Sequence, residues 1–230
     1  VYKRQVLDRM RLRNPAPAVI TVAGTNGKGT TCRMIEALLL QGGYRVGSTL
    51  SPHIWRFNER IRLHGRDADD EEICAAFGAI DLARGDIALT YFEFSALAAL
   101  YCMAQAQVDV AILEIGLGGR LDAFNAIDPD VAVITSIGLD HQVFLGDTRE
   151  AIGCEKAGIL RSGQHVVLGR DMPESVLKRC DALALNPRCW GVDFSSSIDI
   201  DQATWQLIRQ DQASLEIPLT AIAPHNIALA

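Results

Sequence analysis

The run Gly24-Thr25-Asn26-Gly27-Lys28-Gly29-Thr30 constrains the fold of this chain more than any other feature. It follows Ala18-Val19-Ile20-Thr21-Val22-Ala23, a short β-branched run of the kind that forms a buried parallel strand. It precedes a predicted helix from Thr30 to Leu40, in which Ile35, Leu38 and Leu39 share one face and Gln41-Gly42-Gly43 supplies the stop. A glycine-rich turn between strand and helix lets the backbone curl so that its N–H groups point inward. The helix N-terminus adds partial positive charge. Together they make a cradle for phosphate oxygens, with Lys28 placed to reach the terminal phosphates and the Thr30 hydroxyl placed to ligate Mg²⁺. The spacing departs from the common GxxxxGK[ST] form, because Asn26 and Thr25 alone separate Gly24 from Gly27 and Gly29 stands before Thr30. The competing reading is a plain strand–helix turn carrying a solvated lysine.

The rest of the chain repeats the strand–helix alternation. Buried-strand runs recur at Tyr44–Ser48, Val108–Glu114, Val131–Thr135 and Gln164–Leu168. Helices are predicted from Asp69 or Asp70 to Arg84, from about Phe92 to Gln105, from about Thr148 to Leu160 with Asp147 and Glu150 at capping-box spacing, and from Pro173 to Asp181. Ser51 to Gly65 has no clean period and reads as a long ordered loop with a short strand near Arg60–Leu63. After Cys189 the pattern turns short, polar and β-like, at Thr204–Arg209 and Leu215–Ile217. The expected fold is therefore α/β: a mostly parallel, doubly wound sheet of the P-loop NTPase type, flanked by helices, with a small β-rich portion towards the C-terminus. In such sheets ligands sit outside the carboxyl ends of the strands. The Gly24–Thr30 loop, Glu114 and His141 all fall there.

Charge narrows the partners. The 230 residues carry 22 basic and 28 acidic side chains, a formal net charge of -6, which makes the chain a poor candidate for wrapping nucleic acid, since that needs a basic face. A phosphate ligand would have to be held by local donors and metal, and a strand-end carboxylate such as Glu114 suits a bridging Mg²⁺. Cys32, Cys74, Cys102, Cys154, Cys180 and Cys189 include no CxxC pair, which argues against a zinc site and for buried, reduced thiols. No apolar run reaches the roughly 18–20 residues of a membrane helix, and no secretory leader is seen at this N-terminus, so a cytoplasmic, membrane-free setting is expected. The chain begins at Val1 and stops at Ala230 inside a helix-like run, which suggests part of a longer protein.

The Gly24–Thr30 loop resembles the P-loop of the Mur ligase superfamily. Ser51-Pro52-His53, Phe57-Asn58-Glu59-Arg60, the run from Glu114 to Asp122, Asp140-His141 and Glu155-Lys156-Ala157-Gly158-Ile159 resemble the folylpolyglutamate synthase and dihydrofolate synthase branch of it. The resemblance implies a ligase that uses ATP to phosphorylate a pterin-linked carboxylate and then joins L-glutamate to it through an acyl phosphate. It implies ATP binding by Gly24, Thr25, Asn26, Gly27, Lys28, Gly29 and Thr30, with Asn226 near the adenine. It implies two Mg²⁺ ions held among Thr30, Ser51, Glu114, His141 and Lys156, the last as a carbamate, whose oxygens suit Mg²⁺ where an ammonium does not. Lys28, His141 and Lys156 would be catalytic, and Asp122 would contact dihydropteroate or folate beneath the Ser51–Gly65 loop. Residues 1–220 would form the ATP-binding domain and 221–230 the start of a linker to a C-terminal domain that supplies part of the glutamate site. The protein would act as a monomer.

Each residue also has a structural alternative. Glu114 could be a surface carboxylate, Ser51 a cap before Pro52, His141 a hydrogen-bonded structural histidine, Lys156 a solvated lysine on an amphipathic helix, and Asp122 a turn cap. Phe124, Gln142 and Phe144 depart from the family pattern beside the metal and pterin region, which bears on folate preference more than on ligase chemistry. The rival functions are another Mur-type ligase acting on a cell-wall precursor, and a nucleotide-binding module inactive alone.

Overall fold

A computed structural model describes residues 2–199, 201, 203–210 and 212–230. In chain order it runs α1 (Tyr2–Met10), β1 (Ala18–Ala23), α2 (Lys28–Gln41), β2 (Val46–Thr49), β3 (Ile61–Leu63), β4 (Arg66–Asp67), α3 (Asp70–Arg84), α4 (Tyr91–Gln105) and β5 (Val110–Glu114). There follow β6 (Val131–Ile134), α5 (Gln142–Leu145), α6 (Arg149–Lys156), β7 (His165–Leu168), α7 (Glu174–Ala182), β8 (Arg188–Cys189), β9 (Phe194–Asp199), β10 (Thr204–Arg209), β11 (Leu215–Pro218) and α8 (Pro224–Ala228). An eight-stranded sheet has the order β4-β3-β2-β5-β1-β6-β7-β8. It is parallel from β2 to β8 and antiparallel only where β2 meets β3 and β3 meets β4. A separate antiparallel sheet, β11-β10-β9, forms the expected β-rich portion.

The central strands β5, β1 and β6 are apolar but for Thr21 and Glu114, because helices cover both of their faces. Val19, Ala23, Ala111, Leu113, Ala132 and Ile134 point into a core shared with α1, α3, α4, α6 and α7. The alternate residues Val22, Ile112 and Val133 point into a second core with Cys32 and Ile35 of α2 and with Leu229. The register pairs Val22 with Glu114 and Ala23 with Ile134, which brings the exits of β1, β5 and β6 to one level. That level is the floor of the candidate site.

Local signals explain most boundaries. Asp69 caps α3 by accepting from Glu72 N–H, with Glu72 reaching back, and Gly85 follows the helix. Thr90 and Glu93 form a second capping box at the start of α4. The long loop is ordered by Glu59, whose carboxylate accepts the N–H groups of Ile54, Trp55 and Arg56 at 2.7, 2.8 and 2.7 Å. The proposed Asp147–Glu150 box is not formed. Thr148 is the cap, accepting from Ala151 N–H, and the Glu150 carboxylate instead accepts Glu174 and Ser175 N–H at the start of α7. The helix also ends at Lys156, where a 3₁₀ turn over Ala157–Ile159 replaces its predicted last turn. Of the cysteines, Cys32, Cys102 and Cys180 are buried, but Cys74 and Cys154 are exposed, correcting the expectation of buried thiols for those two. No helix among the described residues is long and apolar enough to cross a membrane.

Candidate active site

The glycine-rich loop leaves β1 at Gly24 and enters α2 at Gly27, and both glycines are required by space. A Cβ at Gly24 (φ 152°) would lie 1.9 Å from Thr135 Oγ1, and one at Gly27 (φ 84°) 2.3 Å from Asn226 Oδ1. Gly24→Ala is therefore expected to destabilise the fold by about 3 kcal/mol, roughly 10 °C in Tm by calorimetry. An unchanged Tm would mean that the loop does not pack on Thr135 as described.

The residues after β6 act as a template for the loop. Thr25 N–H donates to Ser136 O (2.8 Å), Asn26 N–H to Ser136 Oγ (3.0 Å), and Gly138 N–H to Thr25 Oγ1 (3.0 Å). Thr135 Oγ1 and Ser136 Oγ both donate to the Asn26 carbonyl, at 2.6 and 3.1 Å. Neither hydroxyl was singled out from sequence. The signal available was a Thr-Ser pair at the exit of a strand next to β1.

Two ammonium groups share the loop's first carbonyl. Lys28 Nζ donates to Gly24 O at 3.0 Å and to Thr25 O at 3.2 Å. Lys156 Nζ, from the last turn of α6, donates to Gly24 O at 2.9 Å. Lys156 is 5% exposed, so it is not a solvated helix lysine. Burial first, and then the Lys28 charge, lower its pKa to about 8.

Glu114, at the end of β5, is buried, which raises its pKa. Its Oε2 accepts Ser51 N–H at 2.6 Å. Its Oε1 lies 3.6 Å from the Cβ position of Gly29, so the carboxylate faces the loop–helix junction. Thr30 stands in the first turn of α2, next in sequence to Gly29. His141 differs: it is exposed, has φ 49°, starts the short α5, and its Nε2 is 3.8 Å from Asp140 Oδ2. Among the described residues no three His, Cys, Asp or Glu side chains cluster as a metal set. The geometry thus brings together Lys28, Thr30, Ser51, Glu114 and Lys156 around the loop, and leaves His141 in solvent.

Asp122 organises the turn after β5. Its carboxylate accepts N–H groups from Gly116 (3.0 Å), Leu117 (3.1 Å) and Phe124 (2.9 Å). Burial raises its pKa against the pull of those bonds. It also borders a cavity of about 370 Å³ lined by Phe92, Leu117, Leu121, Phe144 and Glu93. Phe144 is exposed at this cavity, whereas Phe124 is buried and meets Phe92 edge-on at 5.9 Å. Asn226, in α8, closes the other side of the loop. Its carbonyl accepts from Thr31 Oγ1 at 3.4 Å, while its buried Oδ1 has no hydrogen-bond partner.

A glycine-rich loop at a helix N-terminus, a buried carboxylate facing it and a neighbouring cavity of about 370 Å³ lie on one side of the sheet's carboxyl edge. Residues 22–228 match the model of the Mur ligase middle domain. The chain is 46% identical over 227 residues to the dihydrofolate synthase/folylpolyglutamate synthase of Escherichia coli (strain K12), covering 98% of this chain and 53% of that protein. It therefore spans about half the length of the curated relatives it matches. A solved structure of E. coli FolC in complex with DHPP and ADP superimposes with a TM-score of 0.94 at 44% identity, covering 99% of this chain and 55% of that one. A bifunctional folylpolyglutamate synthase/dihydrofolate synthase with Mn, AMPPNP and L-glutamate bound gives 0.91 at 45% identity, covering 99% and 55%.

Proposed function

The chain belongs to the Mur ligase family, matching its middle domain, and from that premise we propose that the full-length protein is an ATP-dependent ligase joining L-glutamate to dihydropteroate or to the γ-carboxyl of folates. The observation that carries this reading is the exit of β5, which supplies both carboxylates: Glu114 faces the phosphate loop and Asp122 borders the cavity. A donor site and an acceptor site fed from one strand end are what transfer between two bound ligands requires.

In the proposed reaction the acceptor carboxylate attacks the γ-phosphorus of ATP, and the bond from that phosphorus to the β–γ bridging oxygen breaks. ADP and an acyl phosphate result. The amine of L-glutamate then attacks the acyl carbon, inorganic phosphate leaves, and the amine proton goes to solvent. Gly24–Thr30 would wrap the phosphates, with the N–H groups from Gly27 onward as the donors because those of Thr25 and Asn26 donate to Ser136, and Lys28 would exchange its loop carbonyls for phosphate oxygens as charge builds there. The unpartnered Oδ1 of Asn226 supports a role for that residue in accepting a donor such as the adenine amino group.

The free Oε1 edge of Glu114, with the Thr30 and Ser51 hydroxyls, fits a divalent cation, and Mg²⁺ there would neutralise phosphate charge during transfer. A second ion, held by His141 and by Lys156 as a carbamate, remains part of the proposal. Lys156 as an ammonium cannot fill that role, because it is a donor to Gly24 O. Asp122 would orient the pterin-linked substrate at the cavity. Residues 221–230 would lead towards the partner domain, which would complete the glutamate site.

The test is ADP release by the full-length protein. Release is expected only when dihydropteroate or a folate, L-glutamate and ATP are all present, and the 230-residue chain alone should turn over at a small fraction of that rate. ADP release that ignores the pterin, or that instead requires a UDP-muramoyl substrate, would reject the reading.

A further inference from the structure

We propose that Thr135 and Ser136 are positioning residues for the triphosphate, acting through the Asn26–Gly27 peptide. The inference rests on the reading of the Gly24–Thr30 loop as the ATP site and adds to it two residues from a different strand.

The physical problem is one of peptide orientation. A loop that wraps phosphate must present N–H groups to it, yet every peptide carries a carbonyl oxygen that would repel the same anion. In a trans peptide the C=O and N–H point in opposite directions, so fixing one fixes the other. The Asn26 carbonyl is the one at risk, because its peptide leads directly into Gly27, the left-handed residue that starts α2.

Two hydroxyls converge on that oxygen. Thr135 Oγ1 donates at 2.6 Å and Ser136 Oγ at 3.1 Å. Ser136 Oγ also accepts Asn26 N–H at 3.0 Å, so one side chain grips both ends of Asn26. With the carbonyl tied back towards the sheet, Gly27 N–H is directed away from the template and into the cradle. A single hydroxyl would restrain the carbonyl along one direction, whereas two restrain its rotation.

The template is itself held by more than the loop. Arg149 Nε, from the first turn of α6, donates to Ile137 O at 3.0 Å. Lys156, at the other end of the same helix, donates to Gly24 O. The loop and its template are thus tied to one rigid element at two points. Thr135 is buried and Ser136 half-buried, so the first is fixed by packing and the second is open to mutation without harm to the core.

The experiment measures equilibrium binding of AMPPNP with Mg²⁺, and separately of adenosine, to the full-length protein and to Thr135→Val, Thr135→Ser, Ser136→Ala and the double variant Thr135→Val/Ser136→Ala. Each lost hydroxyl is expected to weaken AMPPNP binding by about five- to tenfold, and the double variant by about fiftyfold. Adenosine binding should hold, because it makes no use of the cradle, and Thr135→Ser should bind AMPPNP as the wild type does. AMPPNP affinity unchanged in the double variant, or equal losses for AMPPNP and adenosine, would overturn the positioning role. Should Thr135→Val fail to fold, Ser136→Ala alone decides. A wild-type protein that binds adenosine but gains nothing from the phosphates of AMPPNP would instead reject the reading of the loop, and the inference with it.

Discussion

Replacing Lys28 by alanine in the full-length protein is expected to lower kcat/KM for ATP by about a thousandfold, ~4 kcal/mol of transition-state stabilisation. The ammonium lies in the loop on two of its own carbonyls, Gly24 O and Thr25 O, at 3.0 and 3.2 Å. Among the described residues it forms no ion pair with a carboxylate, so it need break no salt bridge to meet an anion. The contacts to phosphate oxygens are charged at both ends, whereas those to the carbonyls they replace are charged only at the donor. The advantage grows as charge accumulates on the transferring group. Removing the side chain should spare the fold, because it is half-buried and Gly24 O keeps the Lys156 donor. Steady-state kinetics with varied ATP, beside a thermal melt, separate loss of catalysis from loss of structure. A variant with wild-type kinetics would return Lys28 to the status of a solvated lysine on a glycine-rich turn.

The sequence carried the architecture of the site further than its internal bonding. Strand ends were legible because a β-branched run closed by glycine has few other uses. The sheet rule then placed the Gly24–Thr30 loop and Glu114 at one edge, as the Val22–Glu114 register bears out. What distance along the chain hides is which partner wins when several are chemically equivalent. Glu150 stands three residues after Asp147 and within reach of α7, and the α7 N–H groups took it. Of the two roles that the sequence allows Asp122, substrate contact and turn cap, the cap bonds are present, and its place at a cavity keeps the other as a proposal. The burial of Lys156 is not legible in sequence, because it depends on α6 meeting the loop after β1 from far along the chain, the Lys156–Gly24 bond spanning 132 positions. The Thr135 and Ser136 hydroxyls were invisible for the same reason: the loop that they orient lies on another strand.

Lys156→Met in the full-length protein is expected to cost about a hundredfold in turnover, and wild-type turnover is expected to depend on dissolved CO₂. Forming the carbamate joins the neutral amine nitrogen to the carbon of CO₂ and releases one proton, so only the unprotonated lysine reacts. With the pKa lowered from 10.5 to about 8 by burial and by Lys28, roughly a quarter of the side chain is neutral at pH 7.5, against ~0.1% for an ordinary lysine. Two signs follow. Wild-type activity at fixed CO₂ should rise as pH increases towards and past 8, whereas the methionine variant should show neither the rise nor a response to bicarbonate. Stability should move the same way in protein freed of CO₂. Between about pH 8 and 10.5 the unfolded chain binds the lysine proton and the folded chain has released it, so unfolding becomes less favourable as pH rises through that window. Below pH 8 both states are protonated and the buried ammonium weighs fully against the fold. Urea titrations of wild type and variant at pH 7.5 and 9.5 read the difference directly. A wild type that gains nothing over the variant between those two values would mean that Lys156 is not held as a buried, proton-poor amine, and the case for its carbamate would go with it.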